Sequence, residues 1–283
     1  MRLLVCTVTK RPPDVCQPSI EQALKTCPEC DFLLVNNGRD PREYCSTPFF
    51  SDKRIAIVNI PVNVGHPGGI NFAMMHAFSK GYDFFLLLDD DIAFLTTDWY
   101  QKCADLMAFD ERIGVIGPKL LKADLQTIEF AYIRMAAKGI QNYRGAPKDQ
   151  AGVDRIVRVI AVPTAFFFVR VSHMRKVGFF DLLFSPTQWE DFDYCLRMWR
   201  LGFSCVCNGH IEIVHLASTR DDDPVRRLHY LTHLRAMELK YGPVHQYLLK
   251  LEEEIEIMGR EIVLPDRKPP TDSPALRPMD KHS

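Results

Sequence analysis

The sequence has no apolar run of the roughly 18–20 residues that a helix needs to cross a bilayer. The longest candidate, Ile160–Val169, contains Pro163 and Thr164 and fits a strand of the protein core better. The N-terminus also lacks the charged, apolar and small-residue regions of a signal peptide, because Leu3-Leu4-Val5 begins a strand pattern at once. We therefore expect a cytoplasmic protein without a transmembrane segment.

An excess of charge of either sign is also missing. The 283 residues carry a formal net charge of −1, and neither a basic block nor an interleaving of basic and aromatic residues occurs. This composition excludes a general nucleic-acid binder. With 47% hydrophobic and 25% charged residues, the chain has the composition of a folded protein. Its length allows one large α/β domain, with or without an appendage.

Cysteines are present, but their spacing does not indicate a metal ribbon. Nine cysteines are scattered along the chain, and Cys27 and Cys30 form a CxxC without a second pair at zinc-ribbon spacing. Cys205 and Cys207 alternate with other residues in a segment that looks like a strand. Reduced thiols of a cytosolic protein explain this set more simply than a metal site does.

The chain does contain an alternation of strand-like and helix-like segments, which is typical of parallel βαβ units. Turn and breaker residues separate the segments, as at Pro12-Pro13 and Asn36-Asn37-Gly38. The predicted strands are Leu3–Val8, Asp31–Val35, Ile55–Ile60, residues 84–88, Gly114–Gly117, a β-rich stretch over Arg158–Val169, Phe203–Asn208 and Ile211–Leu216. The predicted helices include Gln17–Thr26, Trp189–Leu201, one from Asp223-Pro224 to about Tyr241 and one from about Pro243 to Met258.

The most informative motif is Asp89-Asp90-Asp91, which directly follows the apolar strand of residues 84–88. Each carboxylate raises the free energy of ionising its neighbours, and a divalent cation relieves that repulsion. On extended backbone the side chains of Asp89 and Asp91 point the same way, so both could face one ion while Asp90 faces elsewhere. A solvated acidic turn is the alternative, and the motif alone does not separate the two.

A glycine-rich loop, Asn63–Asn71, joins the third strand to a helix and contains Gly65, Gly68 and Gly69. Small residues let a ligand approach the backbone, and the N-terminus of the following helix offers N–H donors to an anionic or polar group. The loop matches neither a Walker loop nor GxGxxG. A tight turn between strand and helix is the structural alternative.

Acidic and aromatic residues meet again at Trp189-Glu190-Asp191, where a helix with an apolar stripe begins. The helix dipole stabilises negative charge there, so capping is one explanation. Partial burial beside Trp189 and Phe192 would instead raise the pKa of Asp191 toward the range of a general base. His215 lies near the end of the last predicted strand and is either a structural histidine or the imidazole partner of two carboxylates on Mn²⁺ or Mg²⁺.

Taken in order, these motifs resemble those of the family-2 inverting glycosyltransferases of the GT-A fold, closest to the rhamnosyl- and galactofuranosyl-transferase-like branch. The resemblance covers about residues 1–235 and implies an α/β, GT-A (Rossmann-like) fold, in which helices flank a mixed, mainly parallel sheet and further helices follow at the C-terminus. It rests on Thr7–Pro12, Asn36-Asn37-Gly38, Asn63–Asn71, Asp89-Asp90-Asp91, Phe180-Asp181, Trp189–Arg197 and His215.

The resemblance also implies a reaction and its residues. A hexosyl or deoxyhexosyl group would pass from a UDP-, dTDP- or GDP-linked donor to a hydroxyl of a glycan or glycoconjugate, with inversion. Asp191 would be the catalytic base, while Asp89, Asp91 and His215 would hold Mn²⁺ or Mg²⁺. The nucleotide-sugar site would be lined by Thr7, Thr9, Asn37, Asn63, Gly69, Asn71, Asp89 and Asp90, and the acceptor site by Trp189 and Glu190.

The resemblance places the glycosyltransferase domain at residues 1–220, followed by a helical extension at 221–262. Residues 263–283 would form a disordered tail, because prolines and charges dominate there and few residues are apolar. Arg220, Arg226 and Arg227 lie where a C-terminal segment either covers the diphosphate or stays in solvent. Glu252-Glu253-Glu254 in the last helix argues against contact of these helices with a membrane.

Two other functions stay open. A sugar-1-phosphate nucleotidyltransferase would carry a glycine-rich basic loop after the first strand, where this chain has Thr9-Lys10-Arg11-Pro12-Pro13. A non-catalytic module that binds a nucleotide sugar or a protein would be favoured by loss of the base or of a metal ligand, and all candidates are present. Asn36 stands where Asp is common in relatives, which leaves the nucleobase of the donor open.

Overall fold

The computed structural model describes residues 1–216 and 223–265. Its strands are β1 (Leu3–Thr9), β2 (Asp31–Asn37), β3 (Ile55–Ile60), β4 (Phe84–Leu88), β5 (Ile92–Phe94), β6 (Ile113–Lys122), β7 (Ile128–Phe130), β8 (Arg134–Ala136), β9 (Gly139–Gln141), β10 (Ile156–Val159), β11 (Phe166–Arg170) and β12 (Ser204–His215). Its α-helices are α1 (Pro13–Thr26), α2 (Pro41–Cys45), α3 (Gly65–Lys80), α4 (Trp99–Phe109), α5 (Val171–Val177), α6 (Glu190–Arg200), α7 (Pro224–Tyr241) and α8 (Val244–Met258).

Most of these strands form one mixed sheet in the order β10-β12-β6-β11-β4-β1-β2-β3. The strands β3, β2, β1 and β4 are parallel neighbours, and β6 and β12 form a second parallel pair. β11 joins the two groups through antiparallel ladders with β4 and β6. Side chains of α1 and α4 pack on one face of the sheet, and those of α3, α5 and α6 pack on the other. The predicted mixed α/β sheet flanked by helices is confirmed.

The strand β4 lies near the centre of this sheet, which explains its uninterrupted apolar sequence. It pairs with β1 on one side and with β11 on the other, and all its residues are buried. Its alternate side chains enter the two cores, Phe85 and Leu87 on one face and Phe84, Leu86 and Leu88 on the other. A strand buried on both faces therefore ends where the three aspartates begin.

The structure corrects the prediction of two closing strands, Phe203–Asn208 and Ile211–Leu216. The strand β12 is continuous, and its register with β6 shifts between Asn208 and Glu212. Gly209 lies in this irregular stretch, where a Cβ would come within 2.0 Å of the carbonyl oxygen of Val153. The glycine therefore marks a close approach of two backbones within a strand, not a break between strands.

Other element boundaries also differ from the sequence prediction. β6 continues to Lys122 instead of ending at Gly117, because the long β12 pairs with it past Pro118. The β-rich stretch Arg158–Val169 is divided into β10 and β11. α1 begins at Pro13, because proline fits the first turn of a helix, whose N–H groups need no intrahelical partner.

The C-terminal helices agree with the prediction. α7 begins at Pro224, and the carboxylate of Asp223 caps it by accepting from the backbone N–H of Val225 at 2.9 Å. α8 packs against β8 and β10, and the backbone N–H of Ile262 then donates to Ile156 of β10 at 2.8 Å. None of the described helices is both long and apolar enough for a bilayer span. The expected tail lies outside the described residues from residue 266 onward.

We predict that Gly69→Ala lowers stability, because Gly69 of α3 packs directly on β1. A Cβ at this position would lie 2.3 Å from Cγ1 of Val8. Overpacking of this kind costs about 1–3 kcal/mol of unfolding free energy, which denaturant titration measures. Met75→Ala, at an exposed position of the same helix, is the control and should change stability by only about 0.5 kcal/mol. Unchanged stability of Gly69→Ala together with lost nucleotide binding would contradict this packing role.

Candidate active site

A cleft of about 960 Å³ opens where β1, β2 and β4 end, and α7 forms part of its wall. This volume is at the upper end of the range for small-molecule sites. Its lining includes these predicted site residues: Thr9, Asn37, Asn63, Asp89, Asp90, Asp91, Trp189, Glu190, Asp191 and His215. Strand and helix termini thus bring together residues as far apart in the sequence as Thr9 and His215.

Asp89, Asp91 and His215 form a group suited to a divalent cation. One ligand atom from each of the three lies within 4.8 Å of the others. Nε2 of His215 lies 3.0 Å from Oδ1 of Asp91 and 3.8 Å from Oδ2 of Asp89. The pairing of β12 with β5 explains this meeting, because His215 stands opposite Ile92, the residue after Asp91. Two carboxylates and one imidazole are a ligand set that fits Mn²⁺ or Mg²⁺.

Glu129 holds the imidazole of His215 from behind. Its Oε2 lies 3.0 Å from Nδ1 of His215, and its side chain is fully buried. Burial lowers the pKa of His215, but the contacts with Asp91 and Glu129 and the charges of Asp89 and Asp91 raise it to about 10. The arrangement matches the carboxylate that orients a metal-bound histidine in many proteins. Sequence reasoning missed Glu129, because only the fold brings it to His215.

Asp90 is not part of this group, as predicted, although Asp90 and Asp91 lie in a turn and not on extended backbone. Its carboxylate accepts a hydrogen bond from the hydroxyl of Thr9, and burial raises its pKa to about 6. Arg11 pairs with both Asp90 and Asp91. Its Nη1 lies 2.8 Å from Oδ2 of Asp91 and 3.4 Å from Oδ1 of Asp90. The guanidinium of Arg11 was not predicted to belong to the site. Its position directly after β1, at the same edge of the sheet as the aspartates, was the available signal.

His66 connects the aspartates to the start of α6, and the sequence analysis did not assign it to the site. Its Nδ1 lies 3.1 Å from Oε1 of Glu190, and its Nε2 lies 4.0 Å from Oδ1 of Asp89. Burial lowers the pKa of His66, but the hydrogen bond and charge of Glu190 outweigh this and raise it. Glu190 is buried and also accepts from the hydroxyl of Thr187 at 3.0 Å. Its predicted role toward an acceptor stays a prediction.

Asp191 lies in the first turn of α6 and lines the cleft. The two residues before the helix, Gln188 and Trp189, have φ of 86° and 71°, a backbone conformation that non-glycine residues rarely adopt. Burial, followed by the charge of Glu190, raises the pKa of Asp191 to about 7. Its Oδ1 accepts from the backbone N–H of Phe192 at 2.8 Å. A carboxyl group with this pKa can accept a proton near neutral pH.

The helix α7 supports the residues that precede α6. The indole N–H of Trp189 donates to the carbonyl oxygen of Tyr230 at 3.2 Å, and their rings are 5.2 Å apart. With its amide oxygen turned toward α7, Gln188 accepts from Nε and Nη2 of Arg226 at 2.9 and 3.1 Å. Arg226 and Arg227 both line the cleft, whereas Arg220 lies outside the described residues.

Thr7, Gly69 and Asn71 are not among the residues that line the cleft, and their predicted place in the donor site stays a prediction. Thr7 is fully buried within the sheet, and Gly69 packs on Val8. The amide of Asn71 instead donates to the carbonyl oxygen of Phe180 and accepts from its N–H, at 2.9 and 2.8 Å.

Asn37 and Asn63 do line the cleft, and both also fix the glycine-rich loop. Oδ1 of Asn37 accepts from the N–H of Val64 at 2.9 Å, and its amide donates to the carbonyl oxygen of Gly65 at 3.1 Å. Oδ1 of Asn63 accepts from the N–H of Gly65 at 2.9 Å. Contact of these two asparagines with a nucleotide stays a prediction.

Structures of known proteins resemble this fold at low sequence identity. GalNAc-T7, solved with UDP, GalNAc and Mn²⁺, aligns with a TM-score of 0.66 and 11% identity over 92% of this chain and 55% of its own. The mannosyltransferase PcManGT from Pyrobaculum calidifontis, in complex with GDP-Man and Mn²⁺, gives 0.57 and 11% over 87% and 68%. S. aureus TarS 1-349 gives 0.52 and 12% over 76% and 60%. The chain thus spans about half the length of GalNAc-T7.

Sequence comparison identifies the family. The comparison with curated proteins finds no match. A family model does match, and it covers residues 4–174, which is more than half of the chain. That segment contains the aspartates after β4 and the glycine-rich loop, while Asp191 and His215 follow it. The chain belongs to glycosyl transferase family 2.

Proposed function

We propose that the protein is a metal-dependent, inverting glycosyltransferase that moves a sugar from a nucleoside-diphosphate donor to an acceptor hydroxyl. The observation that carries the proposal is the shared cleft of Asp89, Asp91, His215 and Asp191. It joins a cation-binding group to a carboxyl group with a pKa of about 7. Family membership and the resemblance of the fold to transferases solved with UDP or GDP-Man support the donor class.

The proposed reaction is a single displacement. The acceptor oxygen bonds to the anomeric carbon while the bond from that carbon to the diphosphate oxygen breaks, and the diphosphate keeps the electron pair. Asp191 accepts the hydroxyl proton, which makes the oxygen a better nucleophile as attack proceeds. Attack from the face opposite the leaving group inverts the anomeric configuration.

Asp89, Asp91 and His215 would hold Mn²⁺ or Mg²⁺, with Glu129 keeping the imidazole of His215 oriented. The ion would stabilise the negative charge that develops on the leaving diphosphate. UDP-, dTDP- and GDP-linked hexoses and deoxyhexoses form the donor set to screen, and a glycan or glycoconjugate is the proposed acceptor. The nucleotidyltransferase alternative is not favoured, because Arg11, in the loop after β1, is paired with Asp90 and Asp91.

Asp191→Asn should abolish sugar transfer, because the amide cannot accept the acceptor proton. Nucleotide binding in the presence of Mn²⁺, measured by calorimetry, should stay near the wild-type value. Asp14→Asn removes another carboxylate from the first turn of a helix, α1, and serves as the matched control with normal turnover. Transfer by Asp191→Asn at a wild-type rate would exclude Asp191 as the base.

The pH dependence of transfer should report the same group. Asp191 is active only when it has lost its proton, and its pKa is raised to about 7. The kcat/KM of the wild-type protein should therefore fall as the pH drops through about 7, in proportion to the protonated fraction of Asp191. A profile that stays flat from pH 8 down to about 5 would assign the base role to a group with an ordinary carboxyl pKa.

Replacing a residue of the cation-binding group should weaken nucleotide binding that depends on Mn²⁺. We expect Asp91→Ala and His215→Ala to remove this dependence. Glu129→Gln, which changes only the support of His215, should lower Mn²⁺ affinity by about 10–100-fold. Asp52→Asn, whose carboxylate pairs with Arg54 outside the cleft, is the control. Calorimetry with and without chelator measures the effect, and equal nucleotide binding in both conditions would defeat the metal assignment.

A further inference from the structure

The chain enters α6 through a short segment, residues 185–189, whose backbone is strained at its last two positions. Gln188 and Trp189 have φ of 86° and 71°, and non-glycine residues keep such a conformation only where their surroundings hold it. Asp191 follows two residues later, in the first turn of α6. The direction of the Asp191 carboxyl group therefore depends on the contacts that hold the 185–189 segment.

The glycine-rich loop holds the beginning of the 185–189 segment. The backbone N–H of His66 donates to the carbonyl oxygen of Pro186 at 2.7 Å, and the hydroxyl of Ser185 donates to the carbonyl oxygen of Val64 at 3.3 Å. These contacts reach only the first two residues of the segment. The strained residues lie beyond them and need support from another element.

His233 of α7 supplies this support. Its Nδ1 lies 3.1 Å from the carbonyl oxygen of Thr187 and 3.0 Å from that of Gln188. A carbonyl oxygen only accepts hydrogen bonds, so Nδ1 carries the hydrogen and donates to both. The side chain of His233 is buried, with 5% exposure, so water cannot readily replace this donor.

The two carbonyl groups that His233 contacts determine the backbone conformation of Gln188. They belong to the two planar peptide units on either side of the Cα atom of Gln188. The orientation of these two planes relative to each other is set by φ and ψ of Gln188. A single N–H group that holds both oxygens therefore holds the left-handed conformation of this residue.

The helix α7 is itself fixed to α6, which keeps His233 in place relative to Asp191. The carboxylate of Asp193 in α6 is fully buried, lies 2.5 Å from Nζ of Lys240 and accepts from the hydroxyl of Tyr241 at 2.7 Å. Both partners belong to the last turn of α7. The two helices therefore form one support, on which the position of His233 is determined.

We propose that His233 is a positioning residue for Asp191. Its Nδ1–H keeps Gln188 in the left-handed conformation, and this conformation sets the direction in which α6 begins and in which Asp191 enters the cleft. The inference rests on the proposed function, because that function gives Asp191 the role of the base. His233 is not among the residues that line the cleft, so it acts through the 185–189 segment and not on a substrate.

Two amide variants separate hydrogen-bond donation from packing. The side-chain N–H of His233→Asn can take the place of Nδ1, whereas that of His233→Gln lies further along the side chain, near the place of Nε2. We expect His233→Gln to lower the kcat of sugar transfer by up to about 100-fold, because a small displacement of a catalytic group strongly slows the reaction. His233→Asn should keep most of the wild-type kcat.

The KM for the donor and the Mn²⁺-dependent affinity for the nucleotide should stay near the wild-type values in both variants. The reason is that the cation-binding residues Asp89, Asp91 and His215 lie on other elements. His173→Gln is the matched control, because His173 of α5 is also buried, with 7% exposure, and is not among the residues that line the cleft. This variant should keep the wild-type kcat.

Three results would overturn the proposal: equal kcat in His233→Asn and His233→Gln, a loss of nucleotide affinity that parallels the loss of kcat, or a His233→Gln variant that does not fold. The last result, measured by circular dichroism, would assign His233 to the stability of the fold. A wild-type protein that transfers no sugar would refute the proposed function, whereas normal transfer by both variants refutes only the role of His233.

Discussion

Repulsion among the carboxylates at the end of β4 is the constraint on which the architecture of the cleft depends. A strand that is buried on both faces places Asp89, Asp90 and Asp91 side by side at the edge of the sheet. Positive or donor groups from separate elements surround them: Arg11 after β1, and His215 at the end of β12. These charge contacts therefore connect the ends of β4 and β12, which are separated in the sheet by β11 and β6.

The same electrostatics give carboxyl groups of one cleft different properties. Burial raises the pKa of Asp91, but contacts with His215 and Arg11 outweigh it and lower the value. Burial and the charge of Glu190 raise that of Asp191 to about 7. Groups whose environments separate their pKa values can perform opposite tasks, one as an anionic ligand and the other as a proton acceptor. His66, between Asp89 and Glu190, connects the two regions.

The sequence analysis identified those site residues that a local sequence pattern predicts. A charged run after an apolar strand and a carboxylate at a helix start are visible without a fold, and both lie in the cleft. It missed Glu129, whose importance comes from a partner 86 residues away. Thr7 and Thr9 were both assigned to the site and lie on the same face of β1, but only Thr9 lines the cleft. The earlier residue lies one pleat deeper, where the sheet and helices cover it. How deeply a residue of a strand is buried depends on the tertiary structure, and the periodicity of the sequence does not predict it.

The two faces of α7 are a second case in which the sequence pattern does not predict burial. The spacing of Leu228, Leu231 and Leu239 predicts a helix with an apolar side, but it does not show which side packs on the core. In the structure, His233, Met237 and other residues of the opposite side are buried instead. The three leucines are exposed, and Met237 and Tyr241 pack in the core. The same helix also accepts the indole N–H of Trp189, one of the two strained residues before α6, at the carbonyl oxygen of Tyr230. α7 therefore both packs on the core and supports the residues that precede Asp191.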